Sequence, residues 1–201
     1  MGDVKEIAGE NTKDRIRASA VKLFKEKGYH GTGMQQIAQG AGVLKGNIYN
    51  YYPSKSKLLF DVISSAQSAN EKAIEASSSM DGTPSQKIEI IIKESIYSLC
   101  QHFDEITVAL QDVHRLDDED RKQALEHAHK YRLIVQRLIE EGQRSGAFRG
   151  DIDPTVAALT VVGVWSWMHR WYSSSGPLSP EQIAEQIARL VLKGLEGRDE
   201  Q

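Results

Sequence analysis

The sequence predicts an all-α chain folded as two domains. Apolar residues recur at i, i+3, i+4 and i+7 in segment after segment, which lines them along one face of an α-helix. Glycine and proline, 16 and 5 among 201 residues, are too sparse for a long disordered tract. Charge is divided unevenly. Residues 1–60 hold ten Lys or Arg against five Asp or Glu, and residues 61–201 hold fifteen against twenty-three, so +5 and −8 make up the total of −3. A chain of this length has room for a small domain and a medium one with its own core. The division is expected at residues 1–54 and 55–201.

The first helix is expected over residues 13–27, with Ile16, Ala20, Leu23 and Phe24 on one face. Asn11 or Thr12 would cap it, Lys25 and Lys27 suit the negative end of its dipole, and Gly28 ends it. A second helix carries Met34, Ile37, Ala38 and Ala41 on one apolar face. Gly42 then stands where a sharp turn needs a left-handed residue free of Cβ strain. Val43 and Leu44 lead into a third, short helix. Its Ile48 falls where it presses on the second helix, and the small Ala38 lets the two axes approach at a large angle. Lys45, Gly46, Asn47, Tyr49 and Asn50 are left pointing outward. Pro53 and Ser54 stop this helix; Ser54 caps the next, with Lys55 in its first turn.

Two helices joined in this way make a helix-turn-helix, whose second helix lies in the major groove of double-stranded DNA. Plain packing does not ask for an outward Lys-Gly-Asn-x-Tyr face. A positive head on an acidic body also suits phosphate attraction at one end. Lys45 and Gly46 are expected nearest the base edges, since they open the helix and glycine lets its backbone approach the groove closely.

Farther along, residues 77–84 form a serine-rich break containing Gly82. The helix after it has one broad stripe of Ile88, Ile91, Ile92, Ser95, Ile96, Leu99, Cys100 and Phe103. Cys100 is the single cysteine, so it forms no internal disulfide, and its neighbours suggest a buried thiol. A shorter helix over about residues 105–116 leads to the run Asp117-Asp118-Glu119-Asp120, read as solvated acids at a helix N-terminus rather than metal ligands. A long helix then reaches about residue 145, with Leu125, Tyr131, Ile134, Val135, Leu138 and Ile139 as its apolar positions. His127 and His129, two residues apart, diverge by about 200° and do not share an ion, so no metal site is expected.

The last two helices differ in kind. Residues 156–168 are apolar on nearly every side, yet too few for a membrane span, which needs about 20. Such a helix must be covered all round. Beyond the GPLSP turn, Ile183, Ile187, Leu190, Val191 and Leu195 form a second stripe, with Ala184 and Ala188 small enough for close approach. Two such helices from each of two subunits would make a four-helix homodimer interface. The N-terminus is polar and mixed in charge, without a signal-peptide pattern, so a cytoplasmic location is expected. Phosphate loop, nucleophile elbow, Cys-x-x-Cys and His-Glu-x-x-His are all missing, and no enzymatic activity is expected.

Residues 13–60, with IRASAVKLFKEKGYHGTGMQQIA, AGVLKGNIYNYYPSK and the Leu-Leu pair that follows, resemble the DNA-binding domain of the TetR family of bacterial transcriptional regulators. The resemblance implies that three N-terminal helices bind operator DNA. It also implies a larger helical domain that takes a small-molecule effector and dimerises, in a repressor released by its ligand. By the same resemblance Asn47, Tyr49 and Lys55 hold phosphates and Tyr51 lies where it can reach DNA at the groove; of Tyr51 and Tyr52 one is expected to be core, Tyr52 being the better candidate. Two positions depart from the family pattern: Gly33 stands where Ser or Thr commonly caps the second helix, and Leu44 where Ser often opens the third. Glycine in place of a capping side chain costs only a few tenths of a kcal/mol.

The segment GVWSWMHRWYSSSGPLSPEQIAEQIARLVLKGL resembles the C-terminal region of members that respond to acyl-coenzyme A in fatty-acid or sterol degradation. That implies an apolar tunnel with cations at its mouth. Phe103, Leu110, Tyr131, Val135, Trp165 and Met168 are expected to line it, and Arg132 and Arg170 to meet the phosphates. The effector apart, no cofactor is expected. The rival reading is a helical acyl- or lipid-binding protein without a transcriptional role, which has no use for the Lys45-Gly46-Asn47 face.

Overall fold

The computed structural model describes residues 3–197, and among these the regular elements are all helical. They are α1 (Asp3–Gly31), α2 (Met34–Gly40), α3 (Lys45–Tyr51), α4 (Lys55–Ser79), α5 (Pro84–Gln101), α6 (Phe103–Asp112), α7 (Asp118–Arg144), α8 (Pro154–Ser166) and α9 (Pro180–Glu196). Short 3-10 turns follow α6 at Val113–Arg115 and α8 at Trp167–Arg170. The chain forms two compact units. One holds the residues up to Ala66 together with Asp104–Leu125, and the other holds Gln67–Phe103 and the residues from Glu126 onward. The unit containing the helix-turn-helix therefore extends beyond residue 54 into α4, and it takes in α6 and the start of α7.

In the first unit the expected face of α1 is sealed: Ile16, Ala20 and Phe24 are buried, with Leu23 packed at their edge. Gly28 breaks the helix with φ +72, and one further turn runs on to Gly31. The start of α1 corrects the expectation. It begins at Asp3 instead of at a cap on Asn11 or Thr12, because no proline interrupts residues 3–12 and each added residue gains a backbone bond once the helix is nucleated. Thr12 lies inside the helix and accepts from Arg15 Nη2, whereas the side chain of Asn11 falls outside the described residues. The acidic run is also corrected in part. Asp118 and Glu119 are exposed in the first turn of α7, but Asp120 is buried and takes the ammonium of Lys57 on its Oδ1 at 2.7 Å.

The second unit is built on α5, whose Ile88, Ile91, Ile92, Ile96 and Leu99 are sealed and which packs on both α8 and α9. α9 turns Ile183, Ala184, Ala188 and Leu195 inward, and α8 turns Ala157, Ala158 and Val161 inward. Each of these three helices starts the same way, with a capping side chain and then proline at N1. Thr83 and Gln86 form a reciprocal capping box for α5, Ser179 and Gln182 do so for α9, and Asp153 accepts from Thr155 and Val156 N at the start of α8. The break after α4 comes later than the serines suggest. α4 runs to Ser79, and Ser78 returns its hydroxyl to Glu75 O inside the helix instead of ending it. Two further expectations change. Leu125 is 52% exposed, and Cys100 is half-buried, with its pKa raised by burial and opposed by a hydrogen bond to Tyr172.

Gly142 near the end of α7 lies under the ring of Phe148, where a Cβ would run directly into the ring atoms. Phe148 is itself buried and donates its N–H to Gly142 O at 3.0 Å, so it cannot simply move away. Alanine in a helix interior normally gains about 1 kcal/mol over glycine, but overpacking costs about 1–3 kcal/mol. Gly142→Ala should therefore lose up to about 2 kcal/mol net. Chemical denaturation checks the sign, and an unchanged or raised midpoint would contradict this packing.

Candidate nucleic-acid interface

The interface is built on α3, which is seven residues long and has one buried side chain, Ile48. α2 supplies the wall behind it with Ile37 and Ala38, both buried. α2 is in turn pinned to α1, since Ser19 donates its hydroxyl to Ile37 O at 3.0 Å. The N-terminus of α2 keeps half a capping box, because Gln36 Oε1 accepts from Gly33 N at 3.0 Å where glycine offers no side chain. The turn follows the expected chemistry. Gly42 sits at φ +65, and Val43 N returns to Ala38 O at 2.9 Å. α3 then opens as Asn47 N donates to Leu44 O at 2.9 Å.

This brings Lys45, Gly46, Asn47, Tyr49 and Asn50 together on an exposed surface. Gly46 has nothing within 4 Å of where a Cβ would stand, so its backbone is open to close approach. Tyr51 is half-buried against the core of the first unit. Tyr52 is buried and donates its hydroxyl to Asp61 Oδ2 at 2.8 Å, which also accepts from Arg17 Nη1 at 3.2 Å. Burial and the Asp61 carboxylate push the Tyr52 hydroxyl well above its ordinary pKa, so it stays a neutral donor.

Lys55 has an internal task that the sequence reading did not assign. Its Nζ donates to Tyr29 O at 2.6 Å and to Thr32 O at 2.7 Å, and it lies 4.3 Å from the centre of the Tyr29 ring. Thr32, buried, donates its hydroxyl to Leu23 O and Gly28 O. Together these two side chains close the carbonyl end of α1, and burial lowers the Lys55 ammonium pKa. These two bonds use two of the three N–H groups of the Lys55 ammonium. The available signal was the run of free carbonyls that any helix leaves at its C-terminus, but nothing in the sequence says which lysine reaches them.

The residues expected around a ligand are distributed more widely. In the second unit, Tyr131 and Trp165 pack edge to face at 5.8 Å, and Trp165 Nε1 donates to Tyr131 Oη at 3.1 Å. Ser95 Oγ lies 3.3 Å from the same hydroxyl, whose pKa burial pushes up to about 12. Val135 and Met168 are sealed, and Phe103 packs on Tyr172 at 5.4 Å. Arg132 donates to Gln136 and contacts His129, whereas Arg170 is exposed beside the Trp167 ring. Leu110 belongs to the first unit, on α6, and is 38% exposed. A groove of about 510 Å³ in the second unit is lined instead by Glu94, Tyr97, Ser98, Cys100, Tyr172 and Glu181, among others, and by none of the eight residues expected from sequence.

The family model for bacterial regulatory proteins of the tetR family matches residues 16–62, and that for the tetracyclin repressor-like C-terminal domain matches residues 81–195. The second alone spans more than half of the chain. The chain belongs to the TetR family. It is a helix-turn-helix transcriptional regulator whose matched N-terminal segment contains α2, α3 and the start of α4. Among relatives, the HTH-type transcriptional repressor KstR2 of Mycolicibacterium smegmatis is 24% identical over 185 residues, covering 91% of this chain and 90% of its own length. A TetR/AcrR-family regulator from Thermobifida fusca is 33% identical with a TM-score of 0.72, covering 90% of this chain and 97% of the other. The structure of AibR in complex with isovaleryl coenzyme A and operator DNA superposes with a TM-score of 0.80 at 24% identity, covering 92% and 98%. That last likeness is one of fold.

Because Gly46 is free of neighbours and inside a helix, Gly46→Ala should leave the melting temperature unchanged or slightly higher, by up to about 1 kcal/mol of stability. Operator affinity should fall about tenfold as the new methyl meets the groove, for a loss of about 1.4 kcal/mol. Lys45→Ala should change which operators are preferred, costing about 1–3 kcal/mol where it faces guanine. Gel-shift titrations of both variants on a selected operator decide the matter. Parental affinity and preference in both would contradict this docking.

Proposed function

We propose that this regulator is a repressor that binds operator DNA as a homodimer and is released by an acyl-CoA-type ligand. The observation that carries the DNA half is the exposed Lys45–Asn50 surface on a helix whose inner side is fixed by Ile48. Lys45 and Gly46 face base edges, while Asn47, Tyr49 and the remaining N–H of Lys55 meet phosphates, with Tyr51 at the groove edge. The family match and this face together disfavour an acyl-binding protein without a transcriptional role.

The dimer rests on two uncovered stripes. On α8, Val156, Leu159, Thr160 and Gly163 are exposed at i, i+3, i+4 and i+7, and Trp167 continues the line at 60% exposure. On α9, Ile187, Leu190, Val191 and Gly194 repeat the spacing, Leu190 being 73% exposed and Ile187 and Val191 half-buried. The two helices are in contact, so the stripes lie on neighbouring supports. Apolar side chains in such a continuous array mark an association surface.

The repressor reading and the ligand class are each supported by a relative. KstR2 is named a transcriptional repressor, and AibR was solved with isovaleryl coenzyme A and operator DNA. Chemistry in the second unit agrees with it. Arg132 and Arg170 form no salt bridge among the described residues, so neither guanidinium is paired with a carboxylate there, although Arg132 is hydrogen-bonded to Gln136. The chain itself offers a route from ligand to DNA: after Phe103 it enters the first unit for Asp104–Leu125 and returns to the second at Glu126. Ligand then acts by population shift, favouring a state in which the two recognition helices no longer match the groove spacing, and only its differential affinity for the two states does so.

Leu190→Glu places a charge in the interface twice per dimer and should shift the protein toward monomer. Analytical ultracentrifugation showing a tight, unaltered dimer would remove α9 from the interface. Saturated acyl-CoAs of rising chain length, titrated into the protein–operator complex, should release DNA with an affinity that depends on chain length. If no length releases it, while another metabolite does, the regulator stands and the acyl-CoA assignment falls.

A further inference from the structure

Leu44 is 75% exposed, the most exposed of the large apolar side chains among the described residues. It is also the N-cap of α3, in extended conformation at φ −63 and ψ 140, and it makes no side-chain capping bond. Both facts are unfavourable in the free protein. An oxygen-bearing side chain at an N-cap stabilises its helix, and a leucine left in water forgoes the gain of burial. The core does not account for this residue, since α3 is anchored by Ile48 alone. Its chain neighbours Lys45, Gly46 and Asn47 are all exposed, so Leu44 is continuous with the surface assigned to the duplex.

We propose that Leu44 reads a C5-methyl group in the major groove, and so selects thymine at one position of each operator half-site. The inference rests on the duplex-binding reading of α3. Leucine has no hydrogen-bonding capacity, so it cannot distinguish the donor and acceptor patterns by which the groove otherwise reports sequence. The one apolar group that a standard base pair presents there is the thymine methyl. Contact between the two removes both from water and reverses the exposure seen in the free protein. Leu44 is placed for this because it precedes the first turn of α3, and the N-terminal residues of a recognition helix are those that contact base edges. Gly46, without a Cβ and without neighbours, lets this end of the helix come close enough for a side chain beginning at the cap to reach a base.

The test replaces thymine by deoxyuridine, one position at a time, in an operator selected from random duplexes; this removes the methyl and nothing else. At one symmetric position the substitution should weaken the parent about fourfold per half-site, and roughly fifteen-fold in both, from a methyl worth about one buried methylene. Leu44→Ala should bind the thymine and uracil operators equally. At the same position 5-methylcytosine should bind the parent more tightly than cytosine, because it restores the methyl without restoring the thymine. Being so exposed, Leu44 can be truncated without unfolding α3, and the circular dichroism of the variant reports on that directly. Uniform tolerance of uracil by the parent, or an equal uracil penalty in Leu44→Ala, overturns the proposal while leaving DNA binding intact. Failure to select any operator overturns instead the duplex-binding reading on which it rests.

Discussion

The burial of Ile48 is the constraint on which the rest of this structure depends. A helix of seven residues does not hold itself together in water, because nucleation is costly and isolated helices are marginal below about 12–15 residues. α3 therefore exists only as far as its neighbours fix it. One fully buried isoleucine contributes on the order of 1.5–3 kcal/mol, enough to seat the helix but not to let it tolerate a poorly placed wall. That wall is α2, which Ser19 ties to α1 and which Gly42 turns into α3. At the exit, Tyr52, Asp61 and Arg17 join the end of α3 to α4 and α1 through hydrogen-bonded side chains. The outward residues of α3 inherit their positions from these few contacts.

Electrostatics in the first unit does two jobs with one set of residues. The excess of Lys and Arg over residues 1–60 suits that segment to a polyanion, yet several cations of the first unit are engaged inside it. Lys55 closes the end of α1, Lys57 pairs with the buried Asp120, Lys25 with Asp104, and Arg115 with Asp112 and His30. The exposed Lys25–Asp104 pair contributes little to stability. The Lys57–Asp120 pair is different, because a carboxylate so deeply buried is costly without a partner. It fixes the first turn of α7 to the start of α4, immediately after the recognition helix. Segment 104–125 is thereby bound to the helix-turn-helix unit by charge as well as by packing.

Local chemistry was legible in the sequence where a single residue type has few alternatives. Gly28 and Gly42 both sit at positive φ, Ser54 caps α4 through a bond from Lys57 N, and the stripes on α2 and α5 are buried except at Met34 and Cys100, which are half-buried, and at Phe103, which falls in α6 instead. What the sequence could not show is which face of a helix has a neighbour. Leu125 and Leu190 fit an apolar stripe as well as Val135 or Leu195 do, yet the first two are exposed and the others buried. Periodicity reports a face and not what covers it. Long-range polar pairings were hidden for a similar reason. Lys55 reaches carbonyls 23 and 26 residues back, and Asp120 meets a lysine 63 residues earlier. The ligand region was the least legible: Tyr131, Trp165 and Ser95 do converge, but Leu110 belongs to the other unit, and Cys100 opens onto a groove instead of lying in the core.

In the proposed regulator α3 is presented twice by a symmetric dimer and reads duplex DNA. Repeated selection of bound duplexes from a random library by the purified protein tests it most directly. An enriched inverted repeat is expected, with half-sites about 10–10.5 base pairs apart, centre to centre, or a multiple of that spacing. Recovery of no enriched sequence, or of one asymmetric site with no repeat, would contradict it.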